Sequence, residues 1–96
     1  MITLDITADG YPRTKLTLWP LGNISSPTQY VVLYNPVGDP GNEIEIGRVT
    51  QLPAPQGWKA TLEGNAVRVT DDPANAVALA FAELTGSQRV HTKITR

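Results

Sequence analysis

The sequence predicts an α+β fold in which a mainly antiparallel sheet of about six to seven strands carries one helix, at about 73–85. Three observations lead there. Short apolar segments alternate with polar residues at period two, the signature of half-buried strands. The eight glycines and eight prolines fall mostly between those segments, as turn residues do. One stretch, "DDPANAVALAFAELTG", abandons the period of two and carries helix start and stop signals.

The segments follow in order. "ITLDIT" sets Ile2, Leu4 and Ile6 against Thr3, Asp5 and Thr7, and "TKLTLWPL" repeats the alternation with Leu16 and Leu18. The Asp9-Gly10 pair between them suits a reversing turn, so the first twenty residues read as a hairpin. "QYVVLYNP" is apolar on both faces and is expected to be a central strand. After the break "VGDPGN", "EIEIGRVTQL" is a strand with Ile44 and Ile46 inward and Glu43 and Glu45 outward. Gly47 puts Val49 out of step with Ile46, which predicts a bulge. In "WKATL" Trp58, Ala60 and Leu62 share a face, with Trp58 expected under the helix beside Phe81. "EGN" turns into "AVRVT", where Val67 and Val69 are expected to face in.

Asp72 is a favourable N-cap, Pro73 suits the first helical position, and Asp71 adds negative charge at the positive helix end. Gly86 ends the helix. In the tail, Val90, Thr92 and Ile94 alternate with Arg89, His91 and Lys93, a closing strand with a basic outer face. Residues 1–96 thus read as a single domain. Residues 1–36 form the hairpin and central strand, 42–86 a three-strand meander plus helix, and 88–96 the last strand.

Composition narrows the function. A net charge of −1 gives no global pull toward nucleic acid. With no cysteine there is no disulfide or thiolate metal site. The start "MITLDITADG" is unlike a signal peptide, and no apolar run approaches the roughly 20 residues that span a bilayer. A cytoplasmic protein with no membrane partner is expected. The match of Asn23-Ile24-Ser25 to a glycosylation acceptor is then read as chance.

The single histidine, His91, sits among Arg89, Lys93 and Arg96, with no serine or carboxylate placed by local pattern to complete a triad. "DPGNEIE" lacks the spacing and terminal glutamate of a calcium loop. No glycine-rich run joins a strand to a helix as a phosphate cradle would. A non-enzymatic protein is expected, without cofactor, metal or small-molecule substrate.

The segments "IGRV", "GWKATL", "AVRV" and "ANAVALAFAEL" give residues 46–86 a resemblance to a short module of hypothetical proteins in actinobacteria and their phages. It looks like the AP2 or integrase arm-type DNA-binding fold, a three-stranded sheet followed by an alanine-rich helix. The resemblance implies a phage-encoded DNA-binding accessory protein whose outer sheet face enters the major groove. The matching basic positions are Arg48, Lys59 and Arg68, one per strand. The tail cations Arg89, Lys93 and Arg96 are a second set. Glu45 and Glu63 are expected on the same face, and "TDDP" stands where such modules tend to be basic, so binding is expected to be weak and salt-sensitive. The helix has no lysine or arginine and is not a recognition helix.

The helix suggests a different partner. Val77, Ala80, Phe81 and Leu84 fall on one side and are expected to pack on the sheet. Leu79 lies nearly opposite, flanked by Asn75, Ala76, Ala82 and Glu83. A protein interface is expected there. The leading expectation is therefore a small interaction or regulatory protein, active in the host cytoplasm if phage-encoded, that forms a homodimer through its helix. The alternatives are a cover made by its own N-terminal hairpin, the DNA-binding accessory protein, and a structural subunit of a larger particle.

Overall fold

Alternation of apolar and polar side chains over most of the chain becomes a single seven-stranded antiparallel sheet. A computed structural model describes residues 1–8, 11–22, 25–35, 43–86 and 90–96. The strands are β1 (Ile2–Ala8), β2 (Tyr11–Pro20), β3 (Gln29–Asn35), β4 (Ile44–Gln51), β5 (Trp58–Leu62), β6 (Ala66–Thr70) and β7 (Val90–Thr95). One helix, α1 (Pro73–Thr85), lies between β6 and β7 in the chain. The Asp9-Gly10 turn, the 37–42 break, Asn23, Ile24 and Arg89 lie outside the described residues.

The spatial order is β6-β5-β4-β3-β2-β1-β7. β3 is the middle strand, and both Val31 and Val32 are buried, one on each face. Val32 points into the core. Val31 points outward and lies in register between Trp19 of β2 and Arg48 of β4, which shield it. The N-terminal hairpin pairs Ile2 with Leu18 and Leu4 with Leu16, so its inward rows coincide. The final strand returns to the opposite end of the sheet and pairs with β1, Leu4 opposite Ile94.

α1 packs chiefly on β5 and β6, yet it also meets β1, β4 and β7. A helix that touches both outermost strands requires the sheet to curl around it. Leu4, Ile6, Leu16, Leu18, Val32, Val49 and Val77 are the largest fully buried side chains of that enclosed face. The buried helix residues are Pro73, Ala74, Ala76, Val77, Ala80 and Phe81. They form a face broad enough to meet a concave sheet.

The local signals at the helix ends hold. Asp72 is extended and its carboxylate accepts a 3.0 Å hydrogen bond from the Asn75 backbone N–H. Gly86 takes φ 67°, the left-handed conformation that glycine adopts without a Cβ clash. The expected bulge also forms. Val32 pairs with Gly47 and Leu33 with Glu45, leaving Ile46 as the extra residue of β4. Gly47 is required there, since a Cβ would run into the Thr61 carbonyl oxygen and lie 2.8 Å from Leu62 Cα.

Four expectations about facing or burial are corrected. Val67 and Val69 point outward and are exposed, whereas Ala66 is buried. Leu62 pairs directly with Ala66 across the 3-10 turn Glu63–Asn65, so both face inward and the valines cannot. Ile44 does share the inward face with Tyr34 and Leu16, but at the end of β4 it is exposed. Leu84, in the last turn of α1, is also exposed, and its Cδ1 lies over Gly64 at the rim. Ala76, expected on the outer helix face, is fully buried by the curl of the sheet. Trp58 is half-buried on the inward face, its ring 5.7 Å from that of Tyr30.

Candidate protein-binding groove and basic sheet face

The sheet curls without closing. β6 and β7 remain its two edges, and α1 bridges them. Where α1 passes β7 the packing is loose, and a groove of about 440 Å³ opens. Its walls are the inward residues Val90, Thr92 and Ile94 of β7 and, on α1, Ala78, Leu79 and Ala82. Thr70, Asp71 and Asn75 close the end near the helix N-terminus. The surface is mostly aliphatic, and Leu79 is half exposed on it (50%).

Small side chains create this space. Ala78 and Ala82 take up little room where a larger residue would fill the gap between helix and strand. The hairpin does not fill it either. Its β1 lies inside the sheet, paired with β7 on one side and β2 on the other, so it does not cover Leu79.

The five helix residues expected at an interface separate into distinct roles. Asn75, Leu79 and Ala82 border the groove. Ala76 is in the core. Glu83 reaches across to β6, where its Oε2 lies 3.2 Å from Nε of Arg68.

The groove is pinned at one end. Arg96, just past β7, donates a 2.8 Å hydrogen bond from a terminal guanidinium nitrogen to Asp72. Burial alone would raise the Asp72 pKa. Hydrogen bonds from Arg96 and from the Asn75 and Ala74 backbone outweigh it and hold the carboxyl below its ordinary value.

The other face of the sheet is open and basic. Register places Arg13, Lys15, Arg48, Lys59 and Lys93 there, together with the carboxylates Asp5 and Glu45. Asp5 accepts from Arg13 Nε at 2.8 Å and stands between Lys15 and Lys93 in register. The hydrogen bond from Arg13 is the largest influence on its carboxyl and keeps the pKa low. Glu45 lies 3.8 Å from Arg48. Among the described residues, Lys15, Lys59 and Lys93 make no ion pair. Trp19 is half exposed on the same face, in the cross-strand row Trp19–Val31–Arg48–Thr61–Val67.

Of the expected basic positions, Arg48 and Lys59 share that face. Arg68 does not. It pairs with the inward residue Ala60 and turns toward the helix, held by Glu83. Arg96 also lies on the helix side, held by Asp72, while Lys93 joins the outer face. Arg89 is outside the described residues. Sequence reasoning missed Arg13 and Lys15, although the alternation in β2 that points Leu16 inward also points Lys15 outward.

Among the described residues no three His, Asp or Glu side chains gather into a metal-binding cluster. No described helix is long and apolar enough to cross a membrane. The chain is an α+β protein of seven antiparallel strands curled around one helix. No known protein family, curated protein or solved structure matches it.

Proposed function

We propose that this is a non-enzymatic interaction protein that takes an extended segment of another polypeptide into the groove between α1 and β7. The observation that carries this reading is the coincidence of two unfinished surfaces. Leu79 and its aliphatic neighbours lack cover, and beside them β7 ends the sheet with one edge unpaired among the described strands. A strand added to β7 gains backbone hydrogen bonds, and every second side chain enters the groove. The outer side of β7 carries His91 and Lys93, so the fitting segment alternates apolar residues with acidic ones. A narrow groove with Ala76 buried suits an extended chain better than a second helix laid on α1.

The test is nuclear magnetic resonance titration with a peptide of alternating valine and glutamate. Amide signals of Val90–Thr95 and the Leu79 methyls should shift together, and L79E should abolish the effect. Unmoved groove signals at saturating peptide would end this reading.

A second reading, a sheet face that binds nucleic acid, is supported by the segregation of five cations onto the outer face. Three successive strands followed by a helix also match the order of elements in the DNA-binding module described above. Salt-dependent retention on DNA tests it.

A further inference from the structure

We propose that a second copy of this chain pairs with the free edge of β6, making an antiparallel two-fold dimer in which the two sheets join. Of the residues lining the α1–β7 groove, this interface shares only Thr70, at the groove's end.

The inference starts from the inversion of β6. Its solvent side carries Val67 and Val69, exposed at 37% and 50%, while its one charged residue, Arg68, turns inward. An edge strand in a monomer is ordinarily guarded by lysine, proline or a bulge, because its unpaired N–H and C=O groups are a template for another strand. β6 has no lysine, proline or bulge, and its inward-pointing charge, Arg68, a guard of another kind, is tied to Glu83. Two β-branched aliphatic side chains on the outer side of such an edge are the pattern of a strand with a neighbour.

A second copy fits this edge and does not fit the other. Directly opposite residues in an antiparallel pair share a face, so the two-fold axis must pass through a residue position. Centred on Arg68, the pairing sets Val67 against the partner's Val69 and Val69 against the partner's Val67. Both contacts are aliphatic cross-strand pairs of the favourable kind. Arg68 meets its own equivalent on the helix side, each already neutralised by a Glu83 3.2 Å away. The same operation on β7, centred on Thr92 or Lys93 in the middle of the strand, would set Lys93 against His91 or against another Lys93, with Asp5 already engaged by Arg13. Self-pairing is therefore directed to β6 by charge, and β7 is left for the acidic segment.

Light scattering on the full chain tests the proposal. At high micromolar concentration the mass should be twice 10.4 kDa. V69K should return it to a single copy with an unchanged circular dichroism spectrum, and L79E should leave the dimer intact. A single-copy mass at every concentration overturns the proposal, as does a dimer that survives V69K. The chain has no cysteine among its 96 residues, so a second measurement fixes the register. A mixture of V67C and V69C chains should oxidise to a cross-linked pair, each variant alone much less. A dimer that yields no such cross-link overturns the pairing. Peptide binding in the groove should persist in V69K, so failure of this interface and failure of the groove are told apart.

Discussion

Asp72 holds two parts of the molecule at once. Its carboxylate caps α1 through the Asn75 backbone N–H and anchors the end of β7 through Arg96, 24 residues further along the chain. The cap was legible, because a cap and its helix are adjacent in sequence. The arginine was not, since only the return of β7 to the far edge brings it there. Replacing Asp72 by alanine should cost about 1 kcal/mol for the cap, and should loosen β7 as well. Acid separates the charge from the shape. The folded carboxyl titrates below its ordinary value of 3.8, so its stabilisation is complete above that value and is lost as the pH falls through the lower folded one. Asp5 behaves alike through Arg13. The urea midpoint should therefore drop as the pH falls below the ordinary carboxyl value of 3.8, and less in D72N than in the parent; equal drops would remove Asp72 from the account. Gly47 makes the opposite point, since its need was visible only as a break in parity. Its G47A variant must push Thr61 or Leu62 aside, an overpacking cost of about 1–3 kcal/mol readable in the same titration.

Elements were read most securely where periodicity and end signals agreed. α1 begins at Pro73 and ends at Thr85 because a cap, a proline and a glycine mark it independently of packing. β3, apolar on both faces, is central, and β1, β2 and β7 face as their alternation requires. β6 does not. "AVRVT" alternates perfectly well in either sense, and local hydrophobicity favours the valines inward. The decision is made elsewhere, by the turn that pairs Leu62 with Ala66 and by the helix above them. Ala60 and Ala66 of the sheet and Ala74, Ala76 and Ala80 of the helix are all buried where α1 packs on β5 and β6. Such small side chains allow a close approach that inward valines would prevent. The core of this contact should be correspondingly sensitive. Phe81 is its one large buried aromatic ring, and Phe81→Ala should cost about 3–5 kcal/mol, a large part of the stability of a small domain. A thermal midpoint little changed by that substitution would mean that α1 is not seated on β5 and β6 as described.

The whole molecule is electrically two-sided, which its net charge of −1 conceals. Curling the sheet puts Arg68 and Arg96 on the helix side, where Glu83 and Asp72 hold them. The other described cations gather on the convex face, where Lys15, Lys59 and Lys93 lack ion pairs among the described residues. This sorting was half legible. Alternation assigns a face to each residue of a strand, but β6 defeats it, and the pairing of β7 beside β1 that brings Lys93 near Lys15 is a matter of topology. The consequence is a specific pattern of variants. If the convex face grips a nucleic acid backbone, each phosphate contact removed should lower the slope of log affinity against log salt, by about 0.9 on duplex DNA or 0.7 on a single strand. K59A and K93A should each show that loss, because neither lysine makes an ion pair among the described residues and the Asp5 beside Lys93 is already engaged by Arg13. R48A should show less, since Glu45 already draws on it at 3.8 Å. R68A and R96A should leave the slope unchanged, although the sequence alone placed both among the contacts. A slope that falls with R68A or R96A as much as with K59A would mean that binding tracks total charge and that the convex face is not the site.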